Sequence, residues 1–580
     1  MAVLLVASLT ESAQAQSPDG TREHPYPVSG KESLVSLANC INYGQRFRYD
    51  GGRYYVDPNG AIPAYGAGTC FGQTADIDME GEEWIPIGSS VATGFRGTYL
   101  GNGKKIQHLE LTSTRQALFC YPAGSIEGLT MENPSFIGTV NYGGALATFV
   151  MGGTIKDCHA TGNSLVFNGK GCGALIGWVG IPHGAKADVI NISHCSNSCN
   201  ITSHYQQVDN DSLNSVAGIV ACIQATQYHV NRCFNTGNIT STYRPGECQK
   251  DTLCFAGVVG RGFLPTYPSD ITFCYNRGDI TAHCGYLGGV AGYFNEEAGA
   301  SNYTRCAIDY CFNTGDIKGI AVLHEDNPSS YTYADTNIDV FSLGGVVAPS
   351  KTKTRYCFNT GNITLTKHPH PKFSINGDQG VAGVGGIAEH CFNVGEINNY
   401  EKKTGRAAGV SRDTANHCFN AGCVYDRNPK YSFTPHNIAR VTYNSASDEQ
   451  MSVDGQDGNL YHTAKVIGEF SSAINSLGTE HWIYETGRYP RLKWTDTCSW
   501  ARDIAKVACT PIILADTVND IHHVTNGLRL IGCADNIVWR APAGNCLFVN
   551  STRDPRRHPQ WRHHQDRHPA APRGRHLRHH

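Results

Sequence analysis

Cys233-Phe234-Asn235-Thr236-Gly237-Asn238-Ile239 returns almost unchanged five times further down the chain. The later copies are CYNRGDI from Cys274, CFNTGDI from Cys311, CFNTGNI from Cys357, CFNVGEI from Cys391 and CFNAGCV from Cys418. Two degenerate copies precede it, CHATGNS from Cys158 and CSNSCNI from Cys195. Asn stands two places after the cysteine in seven of the eight copies, Gly four places after in seven, and Ile or Val six places after in seven. Asn followed closely by Gly is turn chemistry, because both tolerate positive φ. Three places before the cysteine stands Ile155, Ile192, Val230, Ile271 or Ile308 in five copies. Residues three apart do not share a face of one straight strand. Either the chain bends between them or one of the two points outward.

A second motif alternates with the first. It is a Gly-rich apolar run: GGALATF from Gly143, GCGALIG from Gly171, AGIVACI from Ala217, AGVVGRG from Ala256, GGVAGYF from Gly288, GGVVAPS from Gly344 and AGVGGIA from Ala382. Short apolar runs bounded by turn signals read as buried strands. Successive cysteines lie 37, 38, 41, 37, 46, 34 and 27 residues apart. A helical-hairpin repeat keeps a stricter period, and a propeller blade needs four alternating strands per unit. A parallel β-solenoid stacks its strands and corners and lets its loops vary in length. The fold class is therefore all-β, and the cysteines are expected in one buried, reduced column. The asparagines are expected in another, their amides bonding from coil to coil.

Length and charge agree. With 580 residues the chain exceeds one compact core, and 64 glycines favour turns and strands. Net charge is −3, but residues 551–580 carry eight Arg, seven His and two Asp, so this tail holds +6 and the rest −9. A mildly acidic body gives no nucleic-acid signal. No run of 18 apolar residues marks a membrane span. Met1 to Leu9 is apolar and Ala13-Gln14-Ala15 fits a small-x-small cleavage site, so residues 1–15 read as a signal peptide, with a positive n-region expected upstream. The 23 cysteines of an exported chain would suggest disulfides, but most occupy one repeated position, where equivalent residues stack rather than cross-link distant segments.

The ends differ from the repeats. WIPIG at Trp84 to Gly88 and FRGTYLGNGKKI at Phe95 to Ile106 precede them, and NSLGTEHWIYETGRYPRLKW at Asn475 to Trp494 follows. With the alternating motifs, this order resembles bacterial surface proteins with GLUG-type repeats, over roughly residues 30 to 495. The resemblance implies secretion, a right-handed parallel β-helix and a role at the cell surface. The expected organisation is a signal peptide at 1–15, an N-terminal cap and first coils at 16–140, the repeat β-helix at 141–425, and a linker with C-terminal cap at 426–494. A truncated, immunoglobulin-like β-sandwich segment at 495–550 and an Arg/His-rich tail at 551–580, disordered or frameshifted, complete it.

Chemistry is sparse. His324-Glu325 lacks the second His of a zinc peptidase helix. Asp279, Asp316 and Glu396 share one turn column with Asn238 and Asn362, as structural turn residues do, and Asp309 has no partner that the sequence names. Asp454-Gly455-Gln456-Asp457-Gly458-Asn459 sets oxygens beside glycines but lacks the distal Glu of a calcium loop, and reads as a polar linker. No catalytic, cofactor-binding or metal residue is assigned. The expected role is non-enzymatic adhesion, ligand binding or surface display at or outside the cell surface, toward an extracellular glycan or protein. The alternative is a carbohydrate-active β-helix enzyme, a polysaccharide lyase or glycoside hydrolase, by analogy of fold.

Overall fold

In the computed structural model, the repeated cysteines form one column inside a parallel β-helix. The structure describes residues 17–426 apart from 113–116, 140, 170, 183, 205–214, 243–252, 264, 284, 295–304, 321–340, 367–379, 401–406, 412–414 and 421–423. Beyond 426 it describes 451–455, 458–462, 477–484, 490–498, 501–502, 514–515, 529–531, 536–540 and 546–550. The proposed signal peptide, the His324-Glu325 pair and the Arg/His tail lie outside the described residues.

One coil shows the plan. Ala187–Ser193 and Ser196–Asn197 lie in a long sheet, Ile201–His204 in a second, Ser215–Ala217 in a third and Val220–Ile223 in a fourth. Each strand pairs in parallel with its counterpart one coil on, as Ile192 with Val230, Asn197 with Asn235, Ile201 with Ile239 and Val216 with Phe255. The second motif is thus two strands joined at a corner, where one strand was expected.

The bend suspected before each cysteine is real. The residue just ahead of it is left-handed in all eight copies: Asp157, His194, Arg232, Phe273, Tyr310, Tyr356, His390 and His417, with φ between 50° and 58°. Left-handed backbone costs a non-glycine residue about 1–2 kcal/mol. In return, both flanks of the kink point inward: Ile155, Ile192, Val230, Ile271 and Ile308 are buried, as is every cysteine of the column. Burying one such aliphatic side chain contributes about 1.5–3 kcal/mol, which outweighs the strain.

Asn197, Asn235, Asn276, Asn313, Asn359, Asn393 and Asn420 form an internal amide ladder. From Asn197 to Asn393, each Nδ2 donates to the Oδ1 of the asparagine in the next coil, at 2.7–2.8 Å. From Asn235 to Asn393 the same amide also donates to the carbonyl of the Gly two places on. The ladder packs against the corner glycines of the second motif. A Cβ on Gly257 would lie 2.4 Å from Asn276 Oδ1, and one on Gly289 2.4 Å from Asn313 Cγ. The two sequence motifs therefore meet across the core, the amides filling the space that the glycines leave.

The repeat glycine has a different reason from the one expected. Gly237, Gly278, Gly315, Gly361 and Gly395 are not at positive φ. A Cβ on Gly315 would stand 2.1 Å from the carbonyl oxygen of Gly278, and one on Gly361 1.9 Å from that of Gly315. Close approach between coils excludes a side chain there. Gly162, in the first copy, does take φ +103°. That copy carries one extra residue, absorbed beside Gly162, so that Leu165 rather than Ser164 pairs with Ile201.

The eight cysteines of the column, Cys158, Cys195, Cys233, Cys274, Cys311, Cys357, Cys391 and Cys418, are buried. Cys233, Cys274, Cys311, Cys357 and Cys391 each donate their backbone N–H to the next sulfur at 3.3–3.4 Å. Burial pushes the thiols of Cys158, Cys195 and Cys233 well above their ordinary range. All eight side chains of the column sit in the main apolar core, where they pack as a set of small hydrophobes.

The N-terminal end is closed by a helix, Lys31–Tyr43, which the sequence reading did not resolve. Leu34, Leu37, Ala38 and Ile41 form its buried stripe, and Gly44 ends it in the left-handed conformation. At the other end, Met451–Gly455 and Gly458–His462 form a hairpin whose second strand pairs antiparallel with Val424–Asp426. Asp454, Gly455, Gly458 and Asn459 thus lie in these two strands. The chain divides into a unit that runs to Pro511 and a second unit, Ile512–His580. Thr495 and Ala501 are buried within the first unit. Within the second unit, Asn536–Arg540 lies antiparallel between Arg529–Ile531 and Cys546–Asn550, and Leu514–Ala515 runs parallel to the last.

Candidate functional site

A strand that points alternate residues inward must present the others to the surface. Along the outer face of the long sheet this leaves two columns ahead of each kink. His229, Asp270, Ala307 and Lys353 follow one another in the first; Asn231, Thr272, Asp309, Arg355 and Glu389 follow in the second.

Asp309 therefore does have a partner. Arg355, one coil on, grips it with two nitrogens, Nε to Oδ1 at 2.9 Å and Nη2 to Oδ2 at 2.5 Å. The carboxylate is nearly buried, whereas the guanidinium is 42 % exposed. Burial raises the Asp309 pKa and the Arg355 contact opposes the rise. Beside this pair, His229 Nδ1 lies 2.7 Å from Asp270 Oδ2. Asn231 donates to Thr272 Oγ1 at 2.8 Å, and Thr272 in turn donates to Asp270 Oδ1 at 3.4 Å. Two carboxylates, an imidazole and a guanidinium thus share one face of the sheet, with the Asp309 carboxylate nearly buried in it. Sequence reasoning missed the pairing because 46 residues separate Asp309 from Arg355, and only register brings them together.

The turn carboxylates do something else. Asn200 Oδ1 accepts the backbone N–H of Asn238, Asn238 that of Asp279, Asp279 that of Asp316, Asp316 that of Asn362, and Asn362 that of Glu396, at 2.7–3.2 Å. Each side-chain oxygen fastens the next turn, so Asp279 and Asp316 are held by the scaffold rather than gathered about a substrate.

Among the described residues one group has metal-ligand geometry: Asp78, Glu80 and His108. His108 Nδ1 is 3.1 Å from Asp78 Oδ1, which also accepts the Glu80 N–H at 3.0 Å. These bonds, the Glu80 N–H first, hold the Asp78 carboxyl below its usual range. The group forms because Ile77–Asp78 pairs in register with Ile106 and Gln107.

No family model matches the chain, and no curated protein matches it. Among solved structures, the chain is similar to one described as a "putative immunoglobulin A1 protease from Bacteroides ovatus". The identity is 14 %, over 82 % of this chain and 94 % of that one, with a TM-score of 0.34. No helix among the described residues is long and apolar enough to cross a membrane.

Proposed function

We propose that this chain is an exported surface repeat protein of the GLUG type, and that the outer face of its long sheet binds an extracellular glycan or protein without transforming it. One observation carries this reading: the turn carboxylates Asp279 and Asp316 are consumed in the turn ladder. What remains outward is a regular display of polar side chains, one set per coil, spaced for multivalent contact. Glycan-array and pull-down screens with the full chain test it. Binding that Arg355→Ala and His229→Ala weaken is expected; a folded chain that binds nothing on any panel counts against it.

A second reading rests on the Asp309–Arg355 and His229–Asp270 pairs, whose chemistry suits acid–base work on a polysaccharide. Incubation with acidic polysaccharides, followed at the absorbance of the unsaturated product, tests its lyase form. Turnover that Asp309→Asn abolishes would replace the binding reading with this one.

A further inference from the structure

In a solenoid each coil touches only its neighbours, so stability accumulates coil by coil and one coil opens without the rest. Residues 477–484 and 490–498 depart from that rule. Trp482–Ile483 and Arg491–Leu492 pair as a small antiparallel ribbon, and the helical turn Trp494–Thr497 follows. The two tryptophans lie against the outer aromatic columns that flank the cysteines. Trp494 stands edge-on to Phe273 at 5.6 Å and 6.0 Å from Phe312, and its Nε1–H donates to the Tyr310 carbonyl at 3.0 Å. His481 meets Tyr310 and Tyr356 edge-on at 5.0 and 4.4 Å. Trp482 lies 6.2 Å from Phe358 and 5.3 Å from Phe392. Leu477, Trp482, Leu492 and Thr495 are all buried.

These contacts reach the coils of Cys274, Cys311, Cys357 and Cys391. We infer that residues 477–484 and 490–498 are a lateral clasp that joins these four coils into one cooperative block, while the coils of Cys158 and Cys195 open independently of it. In those early coils the same columns hold Asp157, His159, His194 and Ser196, which offer no phenyl or phenol ring for a tryptophan to pack on. The clasp gives an elongated array resistance to local unravelling at its C-terminal half, where side-by-side stacking alone would leave each coil to open by itself.

Hydrogen exchange on the full chain tests this, with Trp482→Ala/Trp494→Ala as the variant. Amide protection over 269–313 and 353–399 is expected to fall at least tenfold, and protection over 153–168 and 187–204 to hold. The second region also reports that the variant is folded. Equal loss in both regions, or none in either, overturns the clasp. Trp494→Phe keeps one ring and removes the Nε1–H with the second ring of the indole, so it remains informative if the double variant does not fold. It is expected to lose protection by a smaller factor, confined to 269–313; a profile matching the parent, or falling evenly over both regions, overturns the inference as well.

Discussion

The early and late halves of the array share an interior but not an exterior. In both, cysteine, asparagine and corner glycine pack the core by the same rule. Outside, the early coils set Phe149 and Trp178 on the fourth sheet, where Tyr121, Tyr142, Met151 and Phe263 pack with them. The residues that flank their cysteines are polar. In the late coils the aromatics have moved to those flanks. Phe234, Tyr275, Phe312, Phe358 and Phe392 stack at 4.9–5.1 Å, nearly parallel. Phe273, Tyr310, Tyr356, His390 and His417 form a second stack at 4.8–5.1 Å. The fourth sheet meanwhile ends at Ala291–Phe294 among the described strands. Rings collect wherever another layer of chain removes the surface from water, which is where apolar area is worth burying.

The sharpest break between the halves is expected at the repeat glycine. Gly315→Ala drives a methyl into the Gly278 carbonyl, 2.1 Å from the Cβ position, and the backbones must part. A loss of about 3 kcal/mol or more is expected in chemical denaturation. Gly162→Ala meets a side-chain oxygen, that of Asn133, and pays mainly for its positive φ. It should cost about 1–2 kcal/mol; an equal effect at the two sites would show that close approach is not what selects glycine in the late copies.

The asparagine ladder comes next. Asn313→Ala leaves the Nδ2 of Asn276 and the Oδ1 of Asn359 each short of a buried partner. About 2–3 kcal/mol is expected, from the penalty for unsatisfied buried groups. Asn197, at the head of the ladder, donates to Asn235 but has Ala160 as its counterpart in the preceding coil. Asn197→Ala should therefore cost less, and the reverse order would break the account.

Arg355→Gln should cost about 1–2 kcal/mol at pH 7, a buried-pair penalty discounted for the exposed guanidinium. The pH dependence has a definite sign. Asp309 has a raised folded pKa, so its contribution is fully present below the unfolded carboxyl pKa and declines as pH rises through the folded value. Removing Arg355 raises that value further. Thermal melts of parent and variant should converge toward acidic pH and diverge toward neutrality; a constant gap would show that Arg355 does not act through the Asp309 charge.

Asn200→Ala gives the smallest effect. Its oxygen caps the Asn238 N–H at 2.9 Å on an exposed turn, where water replaces it. Less than about 1 kcal/mol is expected in the same denaturation assay. A loss as large as that of Asn313→Ala would mean the outer ladder shares the inner ladder's role.

Much of this was legible before any coordinates. Cys233, Asn235 and Ile239 recur at fixed offsets because each faces the core at the same point of every coil, so the repeat reveals the stack and its two internal columns. The left-handed residue ahead of each cysteine was not legible, because Phe273 and Tyr310 have no local preference for that conformation. Only the burial gained on both sides of the kink holds it. Nor was the role of the repeat glycine, since its neighbour is a carbonyl one coil away and dozens of residues removed in sequence.

The amino-acid sequence by itself determined the solenoid, the residues that line its interior and the variable length of its loops, because identical coils need identical contacts at every step. Tertiary structure alone decided which outward residues meet. The Asp309–Arg355 pair, the turn ladder through Asp279 and Asp316, and the tryptophans laid over the late coils all join residues from different coils. Such contacts depend on register and on the path of the chain after the repeats end, and neither is written in any single copy of the motif.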